Sequence, residues 1–118
     1  MLLLKFDRLI RENLDDLAWI LVYETGKPLG EARAEVQYAL TFSWWFVGET
    51  ERVQGQVVNS ATNPSLRFLT VLQPIGPVAI LTPWNFPVAL FIRKAVSALA
   101  AGCTIVAKPS PETPLSTL

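Results

Sequence analysis

Three polar side chains in the second half of the chain, Asn85, Arg93 and Lys108, stand beside or inside apolar segments. Asn85 lies in the run T-P-W-N-F-P at 82–87, directly after the apolar segment 78–81. Its carboxamide could donate a hydrogen bond to an oxyanion in a pocket that the neighbouring aromatic side chains keep dry. Asparagine is also a common helix cap. The sequence alone leaves both roles open.

Lys108 and Arg93 are candidates for binding anionic or hydroxyl groups. Lys108 follows a second apolar segment, at the point where a parallel sheet opens onto a ligand crevice, and suits a ribose hydroxyl or a phosphate. A solvated lysine is the alternative. Arg93 lies on an otherwise apolar helix, where a buried guanidinium needs a carboxylate partner. That partner is either the carboxylate of a substrate or an acidic side chain of the protein.

Cys103 is the only cysteine, and the chain contains no histidine. We therefore expect no internal disulfide and no Cys/His metal site, so no metal is predicted. Cys103 follows Gly102 at the start of an apolar strand, with no histidine to activate it, so we do not assign it as a nucleophile. A lone thiol is typical of a reducing compartment.

The first half of the chain is predicted to be helical. Apolar residues recur every three or four positions from Phe6 to Leu21, which predicts one helix that ends at Gly26 and Pro28. A second helix is predicted over 28–51, with its aromatic cluster at 44–47 packed against a large surface. Extended pieces at 56–58 and 67–73 then predict a hairpin, with a turn-prone stretch between them.

The sequence pattern in the second half of the chain predicts a strand–helix–strand unit. The strands are 78–81 and 104–107, and the helix is 88–101, with Pro87 in its first turn and Gly102 after its end. We expect the strands to be buried on both faces and the helix to pack between the sheet and another layer. A further helix starts near Pro114, with Thr113 as a possible cap. The fold class is therefore α/β.

Composition limits the possible partners. Hydrophobic residues make up 51% of the chain and charged residues 17%, which favours a buried core over disorder. The formal net charge is zero, so we expect no nucleic-acid partner and no membrane surface as partner. The opening residues do not form a secretory signal. A cytoplasmic location is predicted, or a mitochondrial one if a missing N-terminus carries a transit peptide.

Taken together, these segments resemble the aldehyde dehydrogenase superfamily. The likeness lies in T-P-W-N-F-P, in the segment F-I-R-K-A-V-S-A-L-A-A-G-C-T, and in A-K-P-S-P-E-T-P-L-S. It extends upstream through G-P-V-A-I-L-T-P and E-T-G-K-P-L-G-E-A. It therefore covers nearly the whole chain. Within the superfamily, the segments R-K-A-V-S-A-L-A-A-G-C-T and E-R-V-Q-G-Q-V are most similar to succinate-semialdehyde dehydrogenases.

The resemblance implies a mechanism and a set of site residues. A cysteine thiolate attacks an aldehyde, hydride passes to NAD or NADP, and a water activated by a glutamate releases the acid. Asn85 would stabilise the oxyanion, and Arg93 would hold the distal carboxylate of a semialdehyde. Two segments would line the adenosine side of the cofactor, with Lys108 at the ribose. Their residues are Thr82, Pro83, Trp84 and Asn85, and Lys108, Pro109, Ser110 and Pro111.

Two departures from the family pattern qualify these expectations. Members that prefer NAD usually carry a glutamate three residues after the lysine, where this chain has Pro111, with Glu112 one place later. NADP is therefore an open alternative. Family enzymes are also several times longer, with their nucleophile and general base further along the chain. We expect a fragment that is inactive alone.

Other functions remain open beside this one. The chain could be a cofactor-binding or regulatory remnant, or an assembly module, because the family uses a strand of this kind to form oligomers. We expect the complete enzyme to be a homo-oligomer. The predicted division is a helical part at 1–54, hairpin strands at 55–73, and the start of a cofactor-binding unit at 74–118.

Overall fold

The computed structural model describes residues 2–117 and confirms an α/β fold. Within those residues there are four α-helices: α1 Leu2–Glu12, α2 Leu14–Thr25, α3 Leu29–Glu49 and α4 Pro87–Ala100. The strands are β1 Val57–Asn59, β2 Arg67–Leu69, β3 Val78–Leu81 and β4 Ile105–Lys108, and a 3-10 helix spans Leu115–Thr117. They form two separate two-stranded sheets.

The N-terminal helical region is broken at Asn13, so the prediction of one continuous helix was wrong. Asn13 has a φ of −111° and a ψ of 22°, which is not helical, and its side-chain amide donates to the carbonyl oxygen of Leu9 at 2.8 Å. An asparagine that bonds the preceding turn in this way competes with helix continuation. The predicted stop at Gly26 is confirmed, because this residue has the left-handed φ of 72°.

The core lies among α2, α3 and α4. Its fully or nearly fully buried apolar residues include Leu21, Val36, Val88, Ile92 and Val96. The last three come from α4, which packs against α3 on one side and against β3 and β4 on the other. The prediction that this helix lies between a sheet and another layer is therefore confirmed.

The hairpin is confirmed, although its second strand is shorter than predicted. β1 and β2 pair antiparallel, with Val57 opposite Leu69 and Asn59 opposite Arg67. Every residue of both strands is exposed. Among residues 2–117, the two strands pack on each other and on no other helix or strand. The hairpin therefore projects from the helical core.

The strand–helix–strand unit is confirmed, with β3 and β4 parallel and in the register Leu81 opposite Lys108. Gly102 ends the helical region with a φ of 81°, and a Cβ there would lie 2.9 Å from the ring of Pro74. The strands are not buried on both faces as predicted. Ile80 is 2% exposed, whereas Leu81 is 66% exposed, because α4 covers only one face of the sheet.

The aromatic end of α3 also differs from expectation. Trp44 and Trp45 are exposed, so within the described residues the predicted large partner surface does not cover them. The smaller aromatic residues Phe42 and Phe46 pack partly against the core. Among residues 2–117, no helix combines the length and the apolar character that crossing a lipid bilayer requires.

Candidate functional site

The ends of β3 and β4 bring the two predicted site segments to one edge of the sheet. Leu81 pairs with Lys108, and the backbone N–H of Thr82 donates to the carbonyl oxygen of Lys108 at 3.4 Å. Because the strands are parallel, both carboxyl ends open on the same side. The segments 82–87 and 109–113 therefore leave the sheet side by side.

Asn85 is exposed in the loop between β3 and α4, and its side chain forms no hydrogen bond with any residue from 2 to 117. The alternative of a helix cap is wrong. Phe86 occupies the N-cap position of α4 and provides no side-chain cap. A carboxylate oxygen of Glu35 in α3 accepts hydrogen bonds from the N–H groups of Val88 at 3.0 Å and Ala89 at 3.3 Å. The Asn85 carboxamide is thus free to meet a ligand.

Lys27 and Glu35 form an ion pair beside the loop that carries Asn85. Their side chains are 12% and 0% exposed, respectively. The Lys27 ammonium also donates to the backbone carbonyl oxygen of Asn85 at 3.2 Å and lies 4.6 Å from the ring centroid of Phe86. Sequence reasoning missed both residues. The available signals were Lys27 within E-T-G-K-P, and Glu35 on the same helix face as Ala32 and Val36.

Thr82 and Lys94 mark the end of β3. The hydroxyl of Thr82 is buried and has no hydrogen-bond partner among residues 2–117. The ammonium of Lys94, from α4, donates to the carbonyl oxygen of Leu81 at 2.8 Å. An unpaired buried hydroxyl is uncommon in folded proteins and is a candidate for pairing with a bound group.

The segment after β4 combines an exposed cation with a local hydrogen bond. Lys108 is exposed, while Ser110 is buried and donates a hydrogen bond from its hydroxyl to Glu112. This bond lowers the pKa of the Glu112 carboxyl below its ordinary value; a backbone hydrogen bond adds to the effect and the charge of Lys108 contributes least. Glu112 therefore carries a negative charge near Lys108 at neutral pH.

The 3-10 helix after this segment is held by α2. The carboxylate of Glu24 accepts hydrogen bonds from the N–H groups of Leu115 and Ser116, both at 2.7 Å. The prediction of Thr113 as the cap was wrong, because its hydroxyl is buried without a hydrogen-bond partner among residues 2–117. Glu24 supplies the acceptor instead, from 91 residues earlier in the chain.

Arg93 is exposed on α4, which corrects the expectation of a buried guanidinium. Its guanidinium carbon lies 5.8 Å from the ring centroid of Phe42. It forms no ion pair within residues 2–117, so the alternative of an internal salt bridge is absent from the described part of the chain. The guanidinium thus lies near an aromatic ring, and its N–H groups are available to bind an anion.

Cys103 is buried, and its backbone N–H donates to the carbonyl oxygen of Ala98 at 2.9 Å. It lies in the turn that leads from α4 into β4, at the end of the sheet opposite to Asn85 and Lys108. This position separates the one thiol of the chain from the candidate site.

The residues at the carboxyl edge of the sheet fit the sugar-phosphate part of a dinucleotide. Lys108 offers an exposed ammonium, and Thr82 offers a buried hydroxyl without a protein partner in the described range. Trp84 adds an exposed ring in the adjacent loop. Donors of these kinds suit ribose hydroxyls and phosphate oxygens.

Comparisons with known proteins cover almost the whole chain. A sequence model of the aldehyde dehydrogenase family matches residues 1–118. Succinate-semialdehyde dehydrogenase [NADP(+)] 1 of Schizosaccharomyces pombe is 51% identical over 93% of this chain and 22% of its own length. Glutarate-semialdehyde dehydrogenase of Pseudomonas putida is 49% identical over 93% of this chain and 23% of its own length.

A solved structure agrees with these sequence relatives. The succinate-semialdehyde dehydrogenase of Burkholderia pseudomallei superposes with a TM-score of 0.93 and 47% identity, over 98% of this chain and 24% of that protein. The chain thus spans somewhat less than a quarter of the length of the proteins it matches.

Proposed function

The chain belongs to the aldehyde dehydrogenase family, and we propose that it contributes part of the active site of a semialdehyde dehydrogenase that uses NAD or NADP. The observation that carries this proposal is the pairing of Leu81 with Lys108. That register places the loop of Asn85 and the cation of Lys108 at the same edge of the sheet. A site for a reacting carbonyl and a site for a cofactor would therefore adjoin each other.

Asn85 would stabilise the oxyanion that forms when a thiolate attacks the aldehyde. Its exposed carboxamide has no hydrogen-bond partner among residues 2–117, so its N–H groups are available for that oxygen. A preorganised donor of this kind typically contributes about a hundredfold to a thousandfold in kcat. The thiolate would come from outside residues 1–118, because Cys103 is buried away from this edge.

Arg93 would bind the distal carboxylate of the substrate. Its guanidinium is exposed, has no ion-pair partner in the described range, and lies over the Phe42 ring. A fork of N–H donors matches a carboxylate geometrically. The names of the relatives include succinate and glutarate semialdehydes, both of which carry such a carboxylate. We therefore propose a short dicarboxylic semialdehyde as the substrate class.

Lys108 would donate to the ribose of the cofactor, with Thr82, Pro83, Trp84, Pro109, Ser110 and Pro111 around the adenosine side. When bound, the nicotinamide provides the acceptor for hydride. The S. pombe relative is named for NADP(+), and Pro111 removes a negative charge at a position where NAD-preferring members carry one. We propose NADP as the preferred form, with Glu112 limiting that preference.

Assembly and location are part of the same proposal. The exposed apolar residues of the hairpin, among them Val57, Phe68 and Leu69, support a homo-oligomer in which this hairpin is covered by a second copy. The single buried thiol, Cys103, supports a reducing compartment such as the cytoplasm. Residues 74–118 would form the start of the cofactor-binding unit, with residues 1–54 as its helical support and 55–73 as the assembly strands.

The test uses a chimera in which residues 1–118 replace the matching segment of the B. pseudomallei enzyme. We expect this chimera to oxidise succinate semialdehyde. Arg93→Met should lower kcat/KM for that substrate about tenfold to a hundredfold, because a charged hydrogen bond is lost. Oxidation of butanal, which has the same chain length and no carboxylate, should change little. Arg33→Met, on the exposed face of α3, is the matched control.

Two results would overturn the proposal. A chimera that folds and assembles like the parent enzyme but oxidises no aldehyde would show that this chain does not supply a working half-site. Equal losses of kcat/KM for succinate semialdehyde and butanal in the Arg93→Met variant would show that Arg93 does not select the substrate.

A further inference from the structure

We propose that Lys27 and Glu35 are positioning residues that hold the loop of Asn85 in place for oxyanion stabilisation. This inference rests on the function proposed above for Asn85. Neither residue touches the reacting atoms. Lys27 would act on the carbonyl of the Asn85–Phe86 peptide, and Glu35 on the first turn of the helix that follows the loop.

The carboxylate of Glu35 divides its two oxygens between two partners. One oxygen accepts hydrogen bonds from the N–H groups of Val88 and Ala89, which are the first donors of α4 without a partner inside the helix. The other oxygen accepts the ammonium of Lys27. A single side chain of α3 thus fixes the first turn of the helix that directly follows the loop.

Lys27 fixes the backbone of the loop itself. Its ammonium donates to the carbonyl oxygen of Asn85 at 3.2 Å and lies 4.6 Å from the ring centroid of Phe86. Lys27 itself is held by the turn at the end of α2, where its backbone N–H donates to the hydroxyl of Thr25 at 3.3 Å. The left-handed Gly26 makes this turn possible.

The stability of the fold alone does not explain why an ion pair is buried at this position. Taking two charges out of water is costly, and a buried ion pair is often no more stable than apolar residues of the same volume. Here Glu35 is fully buried and Lys27 nearly so. Lys27 bonds the backbone of the loop that carries Asn85, and Glu35 bonds the first turn of the helix that follows this loop. Displacing a catalytic group by about 1 Å can cost roughly a hundredfold in rate.

The test measures kcat and KM separately in the chimera. Lys27→Met should lower kcat about tenfold to a hundredfold, because the loop loses its anchor and the donor is misplaced. KM for the semialdehyde and for the cofactor should change little. Lys27→Arg, which keeps a cation and its donors, should restore part of the lost kcat. Arg33→Met breaks the exposed ion pair with Asp15 between α2 and α3 and should leave kcat unchanged.

Coupling to Asn85 distinguishes positioning from general support of the fold. In a chimera that already carries Asn85→Ala, the further change Lys27→Met should have almost no effect on kcat, because the group that it positions is gone. The paired variant Lys27→Met/Glu35→Gln leaves no unpaired charge in the core, because it removes the cation and the carboxylate together. If the single Lys27 variant does not fold, this paired variant can be compared with and without Asn85→Ala in the same way.

The outcomes separate this inference from the proposed function. If Asn85→Ala leaves kcat unchanged, the role proposed for Asn85 is wrong. If Asn85→Ala lowers kcat but the Lys27 and paired variants do not, the role of Asn85 stands and the positioning pair is wrong. The pair is also wrong if its effect on kcat is as large in the Asn85→Ala background as in the parent chimera.

Discussion

The loop after β3 and the segment after β4 leave the same edge of one sheet, but different contacts hold them. The loop after β3 is fixed by the buried groups of Lys27 and Glu35. The segment after β4 is fixed by Glu24, which caps the 3-10 helix, and by the short-range bond from Ser110 to Glu112. One segment is tied to a buried ion pair, and the other to the half-buried carboxylate of Glu24 and a local hydrogen bond.

This difference matches the work proposed for each segment. An oxyanion donor must keep a fixed geometry, because its value depends on preorganisation before the charge develops. A cation that meets a ribose or a phosphate must instead remain accessible to a large ligand. A buried ion pair provides the first property, and the exposed Lys108 provides the second.

The largest expected effect compares the two carboxylates. In the chimera, Glu35→Ala should lower the free energy of unfolding by about 3–5 kcal/mol, because it leaves Lys27 as a buried, unpaired charge. Glu24→Ala should cost only about 0.5–2 kcal/mol, as for loss of a helix cap. Hydrogen exchange at the amides of residues 88 and 89, and at those of residues 115 and 116, measures the two local openings. Equal acceleration at both places would contradict the contrast between a buried ion pair and a half-buried carboxylate.

A smaller effect is expected at the cation after β4. Lys108→Met should raise KM for the cofactor about tenfold to a hundredfold, because a charged hydrogen bond is lost. The kcat at saturating cofactor should stay close to that of the parent chimera. Steady-state kinetics with NAD and with NADP provide both values, and Lys5→Met on the exposed face of α1 is the matched control. A fall in kcat with unchanged KM would place Lys108 in the chemical step instead.

The smallest effect is expected at Glu112. Because the Ser110 hydroxyl lowers the pKa of Glu112 in the folded protein, the ionised carboxyl stabilises the fold. That contribution is fully present above the pKa of the unfolded chain and is lost as the pH falls through the lowered folded value. Glu112→Gln should therefore reduce the thermal midpoint of the chimera slightly at neutral pH and not at all in strong acid. A larger difference between the two thermal midpoints in acid than at neutral pH would contradict this prediction.

Local features of the fold were predictable, and contacts between distant elements were not. Gly26, Pro87 and Gly102 set helix boundaries through their own backbone preferences, so these boundaries could be found without tertiary structure. The break at Asn13 was missed because apolar periodicity continues across it. Gly102 is additionally constrained by Pro74, which sequence spacing does not reveal.

The same distinction applies to the candidate site. That Thr82 and Lys108 lie at one edge follows from the parallel strand pattern and was predicted. The capping of α4 by Glu35 joins residues more than fifty positions apart, and the capping near Ser116 by Glu24 joins residues 92 apart. Such pairings depend on how helices cross, which no local pattern encodes. The roles of Asn85, Arg93 and the cofactor segments stay predictions.

All four tryptophans of the chain, at positions 19, 44, 45 and 84, have exposed indole rings. Their fluorescence should therefore resemble that of indole in water even while the chain is folded. Any surface that later covers one of them will shift its emission to shorter wavelength. Trp84, next to Asn85, would then report cofactor binding, and Trp44 and Trp45 would report contacts at the end of α3. Single Trp→Phe variants would turn this exposure into a set of separate optical sensors.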